Sequence, residues 1–238
     1  MDYEETLPFG KTQITPETYR SQIEFHKAIR LLKKKEVRNS EVKLNSFIQD
    51  VPQMLGWLEE NGKVFPWRQT TDDWEVFIAE VLLQRTPGEQ VEGVYEDFLH
   101  RFPDPKSLKN VEKQELKGFI ADLGFVDRRT KILKNTGKVF SDDYGNKVPE
   151  LKKDIKAPWG IGNYVANATL LFARGESIEL VDPNVKRHFD KNFELNLDKR
   201  PHKSQYFREL TTALTPRDSE IARAFFLSMI DLDADKNL

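Results

Sequence analysis

The segment from residue 159 to residue 187, WGIGNYVANATLLFARGESIELVDPNVKR, constrains the fold more than any other part of the sequence. Gly160 and Gly162 permit left-handed backbone angles and leave the neighbouring amides uncovered. A cluster of uncovered amides that leads into a helix attracts an anion, and a nucleic-acid phosphate is one candidate. Because Asp182 precedes Pro183, we predict a second helix that begins at Pro183 with Asp182 as its N-cap.

This segment resembles the helix-hairpin-helix and Gly/Pro/Asp region of the endonuclease III-like (HhH-GPD) superfamily of DNA glycosylases. The matching residues are Gly160, Gly162, Tyr164, Val181, Asp182, Asn184, Val185 and Arg187. In that family the catalytic aspartate follows, at a set distance, a position that is lysine in the bifunctional members. Here 18 positions separate Tyr164 from Asp182, and this spacing matches the family.

The fold class is predicted by the spacing of apolar residues. Trp74, Phe77, Ile78, Val81 and Leu82 recur at helical intervals, and no segment alternates convincingly with a period of two. We therefore predict an all-α protein.

The resemblance covers residues 45–232 and implies the two-lobed HhH-GPD fold, with DNA bound in the cleft between the lobes. We expect a six-helix lobe over residues 72–182, with the helix-hairpin-helix at 150–174. The other lobe combines residues 45–71 and 183–238, and residues 1–44 form an N-terminal extension of an arm and a helix.

Composition excludes several kinds of site. The sequence of 238 residues contains no cysteine, which excludes disulfides, thiolate zinc and cysteine-held iron–sulfur clusters. Many members of the superfamily carry such a cluster. This sequence departs from them in lacking its ligands, but it keeps the residues that match the catalytic positions. We expect no cofactor and no metal.

The expected partner is double-stranded DNA with a mismatched or damaged base, as the resemblance implies. No apolar run approaches the ~20 residues needed to span a bilayer, and the N-terminus lacks the pattern of a signal peptide. We expect an intracellular monomer, cytoplasmic and nucleoid-associated or nuclear, with no membrane partner.

Two carboxylates match catalytic positions of the family. The resemblance implies that Asp182 faces the sugar as an ionised carboxylate, stabilises positive charge at the anomeric carbon and assists the attack of water. Glu80 lies in AEVLLQRT (residues 79–86), which resembles the helix whose glutamate enters the base pocket in the adenine and thymine branches. Partial burial of Glu80 would raise its pKa, so that it protonates the leaving base or orients the water.

Tyr164 decides the type of reaction. Bifunctional relatives place a lysine at this position, and its amine forms a Schiff base with the sugar before the strand is cleaved. Tyrosine cannot form that imine, so we predict removal of the base without AP-lyase activity.

Several further residues are candidates for contacts with DNA. Gln84 and Arg85 occupy the family's wedge position, where side chains fill the gap left by an extruded nucleotide. The residues expected to contact phosphates are Gly160, Gly162, Asn163, Lys186 and Arg187, although Arg187 suits an internal salt bridge equally well.

Three further local predictions concern the flanks of these motifs. Thr86 to Glu89 forms a capping box with Pro87 at the first helical position. The basic clusters at Lys33–Lys35, at 128–131 and at Lys152–Lys153 are more often solvated helix faces than phosphate sites. Residues 38–45 are predicted to be a linker, and residues 1–14 a loose arm.

Similarity to the thymine branch extends through Leu123-Gly124-Phe125 and on to Val148-Pro149, which favours thymine or uracil opposite guanine as the excised base. The adenine branch normally carries a further C-terminal domain, for which this sequence has no room. Adenine opposite guanine or oxidised guanine stays an alternative, because Gln84-Arg85 is intermediate between the two branches. A non-catalytic DNA-binding module is a second alternative, and a helical interaction protein is a third.

Overall fold

In the computed structural model, which describes residues 14–197 and 200–234, every regular element is helical. This confirms the predicted all-α class. The described α-helices are α1 (Pro16–Gln22), α2 (Phe25–Lys34), α3 (Ser40–Asn61), α4 (Asp73–Leu82), α5 (Gly88–Arg101), α6 (Pro105–Asn110), α7 (Lys113–Phe119), α8 (Val126–Asp143), α9 (Lys152–Ile155), α10 (Asn163–Phe172), α11 (Pro183–Phe193), α12 (Gln205–Leu214) and α13 (Ser219–Ala234).

The chain forms two compact units. The first comprises Phe65–Arg174 and holds helices α4 to α10. The second comprises the described residues of 14–64 and 175–234 and holds α1 to α3 and α11 to α13. None of the helices in the described part of the chain is both long and apolar enough to cross a membrane.

Helix α4 lies in the core of the first unit. All residues from Val76 to Leu82 are buried, because this part of the helix carries apolar side chains on every side except at Glu80. The helix packs against α10 and α8. At its start, the Trp74 indole N–H donates to the carbonyl oxygen of Phe102 at 2.9 Å, so the polar atom of this large ring is satisfied inside the core.

Helices α6 and α8 approach each other closely at Gly137. A Cβ atom at this position would lie 2.6 Å from the backbone nitrogen of Lys109 and 2.7 Å from the carbonyl oxygen of Pro105. Real Cβ atoms essentially never come this close to backbone atoms. Glycine is therefore required for α6 to lie directly on α8.

Aromatic rings form the core of the second unit. The centroid of the Phe47 ring lies between 5.2 and 6.3 Å from those of Tyr19, Phe189, Phe193 and Phe225. Tyr19 is fully buried, and its hydroxyl donates to the carbonyl oxygen of Leu214 at 2.8 Å. These rings join residues from both sequence segments of the unit into one packed cluster.

The predicted linker over residues 38–45 is wrong, because α3 begins at Ser40. Arg38, Asn39 and Glu41 are exposed, whereas Ser40 and Leu44 are buried. Helix α6 was not predicted, since its six residues are too few for a periodic pattern. The predicted arm over residues 1–14 lies, except for residue 14, outside the described residues.

The close approach at Gly137 gives a stability test. We expect Gly137→Ala to lower the free energy of unfolding by about 1–3 kcal/mol, because the added methyl group forces α6 away from α8. Gly93→Ala is the matched control, since Gly93 lies within α5 and has no atom within 4 Å of an added Cβ. The control should raise stability by about 0.5–1 kcal/mol. The free energies of unfolding are measured by urea denaturation. Equal changes in the two variants would contradict the close contact of α6 and α8 at Gly137.

Candidate functional site

The residues predicted to act on DNA belong to both units, and each group is described within its own unit. The first unit holds Glu80, Gln84, Arg85, Gly160, Gly162, Asn163 and Tyr164. The second unit holds Asp182, Lys186 and Arg187.

The glycine hairpin connects α9 to α10, and its two glycines have different functions. Gly160 has a φ of 88°, and a Cβ atom there would lie 2.6 Å from Cγ1 of Ile132 on α8. Gly162 has a φ of −101°, so of the two glycines, which both permit a left-handed angle, only Gly160 adopts one. Gly162 and Asn163 are exposed, and a Cβ atom on Gly162 would meet no atom within 4 Å. Gly160 therefore fixes the turn, and Gly162 keeps the surface before α10 open.

The predicted wedge residues lie in the turn between α4 and α5. Arg85 is exposed and adopts a left-handed φ of 61°, which is uncommon for a residue with a side chain. The predicted capping box at Thr86 is wrong. Pro87 is the N-cap of α5 and has no side-chain hydrogen bond, whereas the buried Thr86 hydroxyl donates to the carbonyl oxygen of Leu123 at 3.0 Å.

Arg129 holds this turn against the segment that precedes α8. Its side chain is buried, so the prediction of a solvated basic cluster at 128–131 is wrong for this residue. Burial lowers the pKa of the Arg129 guanidinium, which nevertheless stays charged in proteins. The guanidinium donates to the carbonyl oxygens of Leu82 (3.2 Å), Gln84 (3.0 Å), Leu123 (3.0 Å) and Gly124 and to the hydroxyl of Thr86 (2.7 Å).

Phe125 lies beside the wedge turn and was not among the predicted site residues. It adopts a left-handed φ of 48°, is 54% exposed, and has its ring centroid 5.4 Å from the Cζ atom of Arg85. Gln84, Arg85, Phe125 and Arg128 contribute to the lining of one cavity of about 270 Å³. In the sequence, Phe125 belongs to the Leu123-Gly124-Phe125 segment that is similar to the thymine branch. A glycine followed by an aromatic residue just before a helix is too weak a pattern to identify a binding residue by itself.

Glu80 is buried, with 5% of its surface exposed, which is more complete than the predicted partial burial. It lies on α4, which packs against α10, the helix that carries the half-buried Tyr164. Placing a carboxylate inside a protein costs free energy, so a glutamate at this position lowers stability relative to an apolar residue. A buried carboxylate that lowers stability is typical of a functional site rather than of a structural one.

Asp182 is the N-cap of α11, which confirms its predicted structural position. Its Oδ1 atom accepts the Asn184 backbone N–H at 2.6 Å, and the side chain is half-buried. Desolvation raises the pKa of the Asp182 carboxyl, although the Asn184 N–H and the charge of Arg187 act in the opposite direction. The Asp182 side chain can therefore cap α11 and also have the predicted catalytic role.

The two basic residues after Asp182 are engaged within α11. Lys186 forms an ion pair with Asp190 one helical turn later, and Arg187 donates to the side-chain oxygen of Asn184. Arg187 is exposed, whereas Lys186 is half-buried. Contact of either residue with a phosphate stays a prediction.

Because the pKa of the Asp182 carboxyl is raised, we predict that its ionised form lowers the stability of the folded protein at neutral pH. A carboxyl whose pKa is higher in the folded chain stabilises the fold below the unfolded pKa of about 3.9, and this contribution is lost as pH rises through the folded pKa. Asp182→Asn keeps a good N-cap and removes the ionisation. We expect the melting temperature of the variant at pH 7 to equal or exceed that of the wild type, with the difference growing from pH 4 to pH 7.

Asp72→Asn is the matched control for this measurement. Asp72 is an exposed N-cap whose side chain accepts the backbone N–H groups of Trp74 and Glu75. The same substitution there tests the cap without the desolvated carboxylate. If Asp182→Asn loses more stability at pH 7 than Asp72→Asn does, the prediction that ionised Asp182 lowers stability is contradicted.

Metal ligands are not grouped in the described part of the chain. Among residues 14–197 and 200–234, no three or more histidine, aspartate and glutamate side chains are placed to hold a metal ion.

Comparison with known proteins identifies the family. The model of the HhH-GPD superfamily of base excision DNA repair proteins matches residues 78–216. A thymine-DNA glycosylase from Aeropyrum pernix is 34% identical over 182 residues, which cover 76% of this chain and 82% of the relative. A thymine/uracil-DNA glycosylase from Pyrobaculum aerophilum is 32% identical over 180 residues, covering 75% of this chain and 78% of the relative.

A solved structure supports the same assignment. The structure of a thermostable thymine-DNA glycosylase superposes with a TM-score of 0.73 at 28% identity, over 82% of this chain and 88% of that one. The resemblance predicted from the glycine hairpin and the VDPNVKR motif is thereby confirmed. The chain belongs to the HhH-GPD superfamily of base excision DNA repair proteins.

Proposed function

We propose that this protein is a monofunctional DNA glycosylase that removes thymine or uracil opposite guanine and leaves the strand intact. The observation that carries the proposal is Asp182, a half-buried N-cap carboxylate with a raised pKa, 18 positions after Tyr164. The similarity to thymine and thymine/uracil glycosylases over three quarters of the chain supports the choice of base.

The proposed reaction hydrolyses the N-glycosidic bond of a nucleotide that has left the base stack. As the bond to the base breaks, positive charge develops on the sugar, and the Asp182 carboxylate stabilises it. One water molecule supplies a hydroxyl group to the anomeric carbon, and Asp182 assists by accepting its proton. The base leaves with a proton, for which the buried Glu80 is the proposed donor. The products are a free base and an abasic site.

Tyr164 supports the absence of strand cleavage. Cleavage through a Schiff base requires an amine, and the phenol of tyrosine cannot form an imine with the sugar. Tyr164 lies in the first turn of α10, directly after the hairpin, where a bifunctional relative has its lysine.

The wedge turn and the hairpin are the proposed DNA-binding elements of the first unit. Arg85 and Phe125 present a cation and an aromatic ring side by side on an exposed surface. Such a pair suits the gap that an extruded nucleotide leaves in the duplex. The open surface at Gly162 and Asn163 suits a phosphate, because the backbone there is not covered by side chains.

The activity test uses duplexes that carry T:G, U:G, A:G or adenine opposite oxidised guanine, followed by alkali to reveal abasic sites. We expect excision from T:G and U:G. Asp182→Asn should slow excision by at least about 100-fold, because it removes the charge that stabilises the cationic sugar. Glu80→Gln should slow it by about 100-fold or more through loss of the proton donor.

Two controls make this test specific. Asp72→Asn alters an N-cap elsewhere and should excise at the wild-type rate. Borohydride should trap no covalent complex with DNA. Full activity of either Asp182→Asn or Glu80→Gln contradicts the assigned chemistry, and a trapped adduct contradicts the absence of AP-lyase activity.

The two hairpin glycines give an independent test of DNA binding. Gly162→Ala leaves the backbone unstrained, so it should keep the wild-type stability yet weaken duplex binding about tenfold by covering the amide surface. Gly160→Ala should instead lower the free energy of unfolding by about 1–3 kcal/mol, because its φ is left-handed and Ile132 leaves no room. Thermal denaturation and fluorescence anisotropy separate these outcomes. Wild-type binding by a folded Gly162→Ala variant would argue against a phosphate contact at the hairpin.

A further inference from the structure

A groove rich in lysine lies between α8 and the two helices α6 and α7 of the first unit. It has a volume of about 620 Å³. The six lysines of this lysine groove are Lys109, Lys113, Lys117, Lys131, Lys134 and Lys138. Asp127 is the only acidic residue in its lining, although the whole chain carries a net charge of −2. Positive charge is therefore concentrated here rather than spread over the protein.

Much of this charge is not neutralised by neighbouring carboxylates. Lys117 pairs with Asp127 at 2.6 Å, and Lys109 pairs with Asp142 at 2.5 Å. The other four lysines form no side-chain ion pair with the described residues. Of these four, Lys113, Lys131 and Lys138 are exposed.

Lys134 is held differently from the other lysines of the groove. Its ammonium donates to the carbonyl oxygens of Lys109 at 2.6 Å and Val111 at 2.7 Å. Desolvation by the surrounding protein lowers the pKa of Lys134. Its charge therefore lies beside the C-terminal end of α6, within the lining of the groove, and adds to the positive potential there.

The lysine groove is continuous with the glycine hairpin through Trp159. This residue is 44% exposed, lines the groove and directly precedes Gly160. Its ring centroid lies 4.0 Å from the Nζ atom of Lys131, and its backbone N–H donates to the Asn135 side chain at 2.5 Å. Helix α8 therefore carries the wall of the groove and also, through Ile132, the contact that shapes the hairpin.

We propose that the lysine groove binds the phosphate backbone of the DNA flank that continues past the hairpin. This inference rests on the proposed function only in taking DNA as the substrate. A row of flexible ammonium groups suits repeated phosphate charges and carries no sequence information. Trp159 is the only apolar side chain in the groove lining, whereas a protein partner would require an apolar interface core.

The test variant is Lys113→Gln/Lys138→Gln, which removes two exposed lysines that form no ion pair with the described residues. The matched control is Lys106→Gln/Lys147→Gln, which removes two exposed lysines of the same unit outside the groove lining. Duplex Kd is measured by fluorescence anisotropy over a range of salt concentrations. We expect the slope of log Kd against log salt to fall by about 2 in the groove variant, since each lost phosphate contact contributes about 0.9. The control should keep the wild-type slope.

A second arm locates the contact on the DNA. Duplexes are shortened on one flank at a time, and the two variants are compared on each. Shortening one flank should abolish the difference between the groove variant and the wild type, whereas shortening the other should leave it unchanged. An effect that is insensitive to both deletions would overturn the proposed placement.

The remaining outcomes separate this inference from the proposed function. A groove variant that shows the wild-type salt slope overturns the inference. This is also the result expected if the groove binds an acidic protein instead of DNA. A wild-type protein that excises no base, but whose duplex binding depends on the groove lysines, disproves the proposed activity and supports the groove.

Discussion

The buried guanidinium of Arg129 is the interaction on which the candidate DNA-binding surface of the first unit depends. It connects the turn after α4 to the segment before α8 through five hydrogen-bond acceptors, four of them backbone carbonyl oxygens. Arg85 and Phe125, one from each segment, both adopt left-handed angles. Such angles cost of order 1–3 kcal/mol each and persist only where the surroundings determine them. The hydrogen bonds of Arg129 hold both segments in these backbone conformations, and the side chains of Arg85 and Phe125 are exposed side by side.

Helix α8 extends this support from the wedge turn to the lysine groove. Arg129 in its first turns holds the wedge segments, and Ile132 packs against Gly160 of the hairpin. The Asn135 side chain accepts the backbone N–H of Trp159, and both residues line the groove. Successive side chains along one helix thus set the positions of three elements that are proposed to contact DNA: the wedge turn, the hairpin and the lysine groove. Gly137→Ala, which is expected to force α6 away from α8, would change the lysine groove between these helices.

The two proposed catalytic carboxylates have different environments. Glu80 is buried within a stretch of α4, from Val76 to Leu82, that is otherwise apolar. Asp182 is half-buried at the N-terminus of α11, where the N–H of Asn184 partly offsets its desolvation. Glu80, the proposed acid for the leaving base, lies in the first environment. A carboxylate that faces a cationic sugar needs the second, since the helix terminus favours its ionised form while desolvation strengthens its field. Desolvation of either carboxylate lowers stability, as expected of groups that have a catalytic role.

The sequence by itself determined the all-α class, the hairpin, the position of Asp182 as the N-cap of α11 and the family, because each depends on local spacing or on a contiguous motif. Only the tertiary structure decided which charged residues are buried and which are exposed. Arg129 and Lys131 are neighbours in one basic cluster, yet the first is a core residue and the second lines the lysine groove. Thr86 likewise satisfies the local pattern of a capping box, but it bonds to Leu123 instead. The physical reason is that burial and hydrogen-bond partners depend on residues tens of positions away, about which local spacing carries no information.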